Sequence, residues 1–288
     1  MGSSISHETY ESINGDFYDG QKYYAKFKDM FFEEGACRYA FMGTLYGNGP
    51  RNNSKCVTKV FKDEAASKLK NWVPEIAASK RAFKYAKHFQ EKYFPRMSGS
   101  TYEIEFLIPL LAQMKNISGI NLLWFIEAFQ DERYVNKRSM VAIEPFIEGS
   151  YEKFNSNGGY EQQGGLHSIV NTFSHWTWHV SGHKYMVCDL QGVKSGKKYI
   201  LTDPAIHSAG REFGATDLGA LGMEMVLGNH TCNNFCMQLG LENPYTGIYV
   251  APGLRSTTYS FQVTEEQLMM ADQRRASLYP YLPATFEL

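Results

Sequence analysis

The sequence has almost no net charge: 29 lysines and arginines stand against 30 aspartates and glutamates, a formal -1. A nucleic-acid binder needs a clustered basic excess to neutralise phosphates, so that class is excluded. Also lacking is any apolar run near the roughly 20 residues that a membrane-spanning helix requires. The most hydrophobic stretch, Ile120 to Phe129, is short and carries Glu127. There is no internal repeat and no low-complexity tract. Cysteine is scarce and odd in number, five in all, which gives no disulfide framework. One Cys-x₃-Cys pair beside a histidine instead fits metal binding in a reducing compartment, so a cytoplasmic protein is expected.

What is present is a core. Apolar residues make up 43% of the chain and aromatics 15%, enough to bury a substantial interior and exclude disorder. A chain of 288 residues can hold one large domain or two lobes. Met1-Gly2-Ser3-Ser4-Ile5-Ser6 formally matches the pattern for N-myristoylation at Gly2. The same residues resemble the start of an expression tag.

The first half reads as β-rich. Ala36 to Leu45 and Lys55 to Phe61 are aromatic and β-branched runs separated by the turn Tyr46-Gly47-Asn48-Gly49-Pro50. Helical composition begins at Asp63, and Pro74 is expected to interrupt that helix or open a second one. Tyr102 to Leu111, Ile120 to Phe129 and Met140 to Phe146 read as further strands. Beyond Glu148-Gly149, the residues Leu166, Ile169, Val170, Phe173, Trp176, Thr177 and Val180 recur at helical spacing and predict an amphipathic helix. Lys184 to Leu190 and Tyr199 to Leu201 are short strands; helices follow at Leu218 to Leu227 and His230 to Leu239. The tail from Thr246 is expected to lie on the body without forming a domain.

Two groups of residues carry chemistry. His230, Cys232 and Cys236 lie within seven residues and supply soft or borderline ligands for one zinc ion, brought together by a helical turn. A fourth ligand must come from His167, His175, His179, His183 or His207. His175 falls roughly opposite the apolar stripe of its helix and is free to face a second element. Asp189 and Asp203 each end a strand-like run, with Gln191 between them, and two carboxylates with an amide suit a Mg²⁺-phosphate site. Read as exposed carboxylates, they would contribute little to the core. Lys59 is a lone cation in an apolar strand, which by itself describes a lysine snorkelling to the surface.

Taken in order, Cys188-Asp189-Leu190-Gln191-Gly192-Val193, Thr202-Asp203-Pro204 and the His-x-Cys-x₃-Cys run resemble the alpha-kinases, an atypical protein-kinase family. The resemblance runs from about Gly35 to Leu241. It implies an α+β, two-lobed atypical protein-kinase fold with a β-rich N-terminal lobe and a zinc-braced C-terminal lobe. The expected boundaries are an N-terminal extension at 1–20, a catalytic domain at 21–245 whose lobes meet between about 144 and 148, and a packed tail at 246–288.

The implied activity is ATP-dependent transfer of a phosphoryl group to a Ser or Thr of a protein substrate, the alternative being an inactive nucleotide-binding scaffold. Asp189 would orient or deprotonate the acceptor hydroxyl, and Gln191 and Asp203 would hold Mg²⁺. Lys59 and Arg38 would reach the phosphates of ATP. Glu75 is a weaker candidate partner for Lys59. The segment Ile143 to Gly149 resembles the interlobe hinge, so Glu144 and Ile147 would contact the base and Lys153 would approach the nucleotide. Phe173-Ser174-His175 matches the family segment holding the remaining zinc ligand, which completes His175, His230, Cys232 and Cys236.

An insertion at Lys194 to Lys198 lengthens the hairpin between Asp189 and Asp203 and is absorbed at its tip. Phe213 to Gly219 is a weak glycine-loop match in which Asp217 reads as a helix N-cap. Arg274-Arg275-Ala276-Ser277-Leu278 has the form of a basophilic kinase target, although a solvated basic turn accounts for it as well.

Overall fold

The computed structural model describes residues 6–28, 30–35, 37–63, 66–93, 102–115, 135, 138–162, 168–246 and 263–280. Strands β1 (Ser6–Glu8), β2 (Tyr23–Lys28), β3 (Glu33–Glu34), β4 (Arg38–Gly47) and β5 (Lys55–Phe61) precede helix α1 (Leu69–Lys92). Next come β6 (Glu103–Phe106), β7 (Leu110–Gln113), β8 (Met140–Pro145), β9 (Tyr151–Lys153) and α2 (Ser168–Val180). Finally β10 (Tyr185–Cys188), β11 (Gln191–Ser195), β12 (Lys198–Thr202) and β13 (Ala205–Ser208) lead into α3 (Gly219–Asn229), α4 (Asn234–Gln238) and α5 (Glu265–Leu278).

The chain divides into two compact units. One is Met1–Val73 with Ile108–Phe146, and the other is Pro74–Leu107 with Ile147–Leu288. The first holds an antiparallel sheet in the order β1-β2-β4-β5-β8-β7, with β3 beside β4. Alternation along its strands sends Phe41, Leu45, Cys56, Val60, Val141 and Ile143 into one apolar core with Tyr23, Ala25 and Phe27. Residues of the other parity lie on the opposite face. The pairings Arg38↔Phe61, Ala40↔Lys59, Lys59↔Ala142 and Val57↔Glu144 therefore place Arg38, Lys59 and Glu144 on that one face.

The second unit holds the sheet β6-β12-β11-β9, in which β6 runs parallel to β12, and a separate antiparallel pair β10-β13. Its core stacks Phe89 of α1 against Phe173 and Trp176 of α2, at ring-centroid separations of 5.5 and 4.9 Å. Phe106, Phe154, Leu190, Tyr199 and Leu201 complete it. Each such ring contributes roughly 2–3 kcal/mol by leaving water. A smaller cluster around Trp178, Met223, Leu227 and Tyr245 lies under α5.

Several elements differ from the sequence reading. Residues 6–8 pair with β2, so part of the expected N-terminal extension belongs to the sheet. Residues 74–107, expected in the N-terminal lobe, cluster with the second unit. Pro74 neither breaks nor starts a helix: α1 runs through it. The carbonyl that Pro74 leaves without its usual donor belongs to Lys70, in an exposed first turn open to solvent. Helix α2 is buried on every side from Ile169 to Trp178, so it is not amphipathic over that span. The run Tyr102 to Leu111 splits into β6 and β7, one in each unit. The tail carries α5, opened by a capping box between Thr264 and Gln267. The expected strand at Ile120 to Phe129, the Leu166 and His167 positions and Gly2 lie outside the described residues.

Candidate active site and metal centre

Two lysine–carboxylate pairs, each with a buried carboxylate, organise the candidate residues, one in each unit. In the first unit Lys59 Nζ lies 2.6 Å from Glu144 Oε2. The two residues sit diagonally across β5 and β8, where side chains on one face reach each other. Lys59 is only 8% exposed, so it is not a snorkelling surface lysine. Glu144, expected at the base, turns its side chain to Lys59; the hinge-like sequence gave no sign of this pairing. Arg38 sits on the same face, its guanidinium 5.5 Å from the ring centroids of both Phe61 and Trp72. Trp72 is itself fixed by a 2.9 Å bond to the Met140 carbonyl.

In the second unit Lys153 Nζ lies 2.6 Å from Asp189 Oδ1. Register explains the neighbourhood. Gln191 opens β11 directly between Lys153 of β9 and Thr202 of β12, which places Asp189 and Asp203 at the same end of the sheet. Both aspartates hold left-handed backbone, with φ of 58° and 50°. Such conformations cost about 1 kcal/mol or more and persist where the surroundings dictate them. Asp189 is 3% exposed, contrary to the expectation of an exposed carboxylate, because β10 carries it to the edge of the apolar core.

Asn155 holds this loop. It accepts from Leu190 N at 2.9 Å and donates to Asn171 and Ser174 of α2. Nothing in the spacing marked Asn155 for this role. Gly192 has φ 153°, and a Cβ there would lie 2.0 Å from the Ile200 carbonyl oxygen, so only glycine allows β11 and β12 to approach. The hairpin is regular: the register runs unbroken from Gln191↔Thr202 to Ser195↔Lys198, with Gly196 at φ 60° beyond it.

His175, His230, Cys232 and Cys236 present ligand atoms all within 4.8 Å of one another. Their assembly is not helical, as the sequence suggested: α4 starts only after Asn233, and the backbone at His230 is extended. Asn233 caps α4 by accepting from Phe235 N and Cys236 N, and it also accepts from Thr172 of α2. Each histidine turns one nitrogen to the cluster and is oriented through the other. His175 Nε2 meets the Glu242 carbonyl at 3.1 Å, and His230 Nδ1 meets Glu161 Oε2 at 2.7 Å. That arrangement fixes the tautomer of a metal-binding imidazole.

Burial pushes the Cys236 thiol up, but hydrogen bonds from His175, His230 and Thr172 outweigh it and bring the group down to about 5. Burial likewise disfavours charge on His230, yet Cys232, Cys236 and Glu161 hold it up at about 11. The cluster favours the thiolate that a metal requires, beside an imidazolium whose proton a metal bound at His230 Nε2 would displace.

Among the described residues the other candidate histidines lie elsewhere. His179 and His183 line a cavity of about 300 Å³ with Trp178 and Tyr279. His207, one of the five candidates for the fourth ligand, is fully buried and is not in the cluster. Its Nδ1 accepts from Leu218 N at 3.1 Å, which leaves the proton on Nε2 to donate to the Asn157 carbonyl at 2.8 Å. Asp217 is not the N-cap of α3, a position held by Leu218. Instead its carboxylate gathers Ser208, Phe213 and Gly219 amides and the Ser208 hydroxyl.

A family model for the alpha-kinase family matches residues 33–236. The alpha-protein kinase vwkA of Dictyostelium discoideum is 33% identical over 216 residues, which cover 74% of this chain and 31% of that relative. Human eukaryotic elongation factor 2 kinase is 42% identical over 100 residues, covering 34% of this chain and 13% of its own length. The chain thus spans less than a third of these relatives. An alpha kinase from Entamoeba histolytica superposes with a TM-score of 0.62 at 22% identity, over 88% of this chain and 96% of that one. The alpha-kinase domain of myosin heavy chain kinase A, solved as a complex with ADP, gives a TM-score of 0.59 at 22% identity, over 85% and 99% of the two chains. With its strand-end aspartates and its histidine–cysteine cluster in family order, this chain belongs to the alpha-kinase family.

Proposed function

We propose that this chain is an ATP-dependent protein kinase that transfers the γ-phosphoryl group to a Ser or Thr hydroxyl of a protein substrate. The observation that carries the reading is the row Lys153, Gln191 and Thr202, flanked by Asp189 and Asp203, in a chain of this family. Asp189 would take the acceptor hydroxyl's proton as that oxygen attacks the γ-phosphorus and the bond to the departing ADP breaks. Phosphate oxygens would compete for Lys153 and release the Asp189 carboxylate for this task. Lys59 and Arg38 would neutralise phosphate charge, and backbone near Glu144 and Ile147 would meet the base. Gln191 and Asp203 would hold Mg²⁺, which supplies charge neutralisation at the phosphates.

We assign the four-ligand cluster to structural zinc: two imidazoles and two thiols close a tetrahedral set and leave no position for water. All five cysteines are free, which suits a reducing, cytosolic setting. Among the described residues no helix is long and apolar enough to cross a membrane.

The test is radiolabel transfer from Mg-ATP to a generic basic protein by the purified chain, with Asp189→Asn as the comparison. Label should appear with the unaltered chain and vanish with the variant. Mg-ATP that raises the melting temperature without any transfer would identify an inactive nucleotide-binding scaffold instead.

A further inference from the structure

We propose that Ser277 is a phosphorylation site for an arginine-directed kinase, gated by the docking of α5. Ser277 is exposed in the last turn of α5, with Arg274 and Arg275 three and two residues before it. Both arginines are engaged. Arg274 Nε and Nη2 each lie 3.0 Å from Oε2 of Glu224, a residue of α3 that is only 7% exposed. Arg275 Nη2 donates to the His183 carbonyl at 3.2 Å. Tyr279 then closes over His183, with ring centroids 4.1 Å apart.

A kinase that reads paired arginines needs both guanidinium groups for its own carboxylates. In docked α5 the hydroxyl is accessible while both recognition charges are committed, Arg274 to Glu224 although its side chain is 44% exposed, and Arg275 to the His183 carbonyl. Modification therefore follows release of the last turn. In that step Ser277 Oγ attacks the γ-phosphorus of a nucleoside triphosphate, and the bond to the bridging oxygen breaks with its electron pair leaving on the diphosphate. The hydroxyl proton passes to the acting kinase's carboxylate.

The product cannot simply re-dock. A phosphate at Ser277 lies one turn from Arg274 and competes with Glu224 for it. It also adds negative charge at the helix C-terminus, where the dipole disfavours it. Glu224 would be left buried without its partner, which penalises the docked state further. Phosphorylation thus holds α5 away from α3 and uncovers Trp178. This holds whether or not the chain is itself a kinase.

The experiment treats the full chain with a purified arginine-directed kinase and ATP, beside a reaction without that enzyme, and maps phosphate by peptide mass spectrometry. Ser277 should be modified only when the enzyme is added, and Ser277→Ala should carry no phosphate in that peptide. Glu224→Gln, which weakens docking without removing Ser277, should raise the initial rate roughly tenfold, as expected for loss of a charge-assisted hydrogen bond. Amides of 264–279 should exchange at least about tenfold faster in the modified chain. No phosphate at Ser277 in either form, equal rates for the two forms, or full modification with unchanged exchange would overturn the proposal.

Discussion

Lys153 Nζ and Asp189 Oδ1 are 2.6 Å apart, and both side chains are largely shielded from water, at 15% and 4% exposure. The pair makes Asp189 structural as well as chemical, so its variants should separate. Asp189→Asn keeps a side chain that tolerates left-handed backbone. It should lower phosphoryl transfer by roughly 10²–10⁴-fold, with a smaller loss of stability than Lys153→Met, because Lys153 at 15% exposure keeps an amide oxygen beside it and some access to water. Lys153→Met leaves a buried carboxylate without its cation, a change that costs about 3–5 kcal/mol. Thermal melts and transfer assays on both proteins check this. Near-full turnover by Asp189→Asn would remove Asp189 from the chemistry.

Lys59 should behave as a phosphate ligand rather than a packing residue. Lys59→Met retains the apolar stem and removes the charge, so affinity for ATP should fall more than affinity for adenosine. Glu144→Gln keeps a hydrogen-bond acceptor for Lys59 and should weaken ATP binding less than Lys59→Met does. Calorimetric titration with both ligands gives the answer. Equal losses for ATP and adenosine would place Lys59 away from the phosphates.

The strands were legible because alternation is a local property: Lys55 to Phe61 and the Asp189-Leu190-Gln191-Gly192 run need no distant information. The ligand atoms of His230, Cys232 and Cys236 were legible from short spacing. Partners were not. Glu144 is 85 residues from Lys59, and Asn155 is 35 residues from the Leu190 amide it holds, separations that pattern reading does not bridge. Helix α2 misled because ten consecutive residues are buried, including polar Asn171, Thr172, Ser174 and His175 whose groups bond inward. A helix surrounded by protein on all sides shows no polar stripe. Pro74 misled for a different reason: its cost falls on a single first-turn carbonyl, and the helix absorbs it.

The metal assignment predicts one zinc per chain in protein purified without added metal. Because structural zinc is folding free energy, His175→Ala and Cys236→Ala should yield aggregated protein and a zinc-poor soluble fraction. Glu161→Gln keeps all four ligands but weakens the bond that orients His230, so zinc affinity should fall by about 10–100-fold. His207→Ala makes a different defect. It opens a cavity and strands the Leu218 amide and the Asn157 carbonyl, a loss of about 2–4 kcal/mol, with zinc retained in full. Elemental analysis beside thermal melts distinguishes the cases. Full zinc in soluble His175→Ala, with zinc lost from His207→Ala, would reverse the ligand assignment.

The His183 ring packs between Trp178 and Tyr279 at 4.0 and 4.1 Å between centroids. Burial, reinforced by the neighbouring charges of His179, Arg275 and His175, brings this imidazole from its ordinary 6.5 down to about 4. The unfolded chain binds a proton in that window and the folded chain does not. Stability from this group is therefore fully present above pH 6.5 and is lost as pH falls toward 4. His183→Asn removes the titration and suits the positive φ of 64° at this position. Its melting temperature at pH 8 should lie below that of the unaltered chain, because the stack is lost. Between pH 6.5 and 4.5 it should fall less steeply. His207, also lowered by burial, contributes a slope of the same sign to both proteins and cancels in the comparison. Melts across this range are the measurement, and identical slopes would mean that His183 takes up its proton in the folded chain as readily as in the unfolded one.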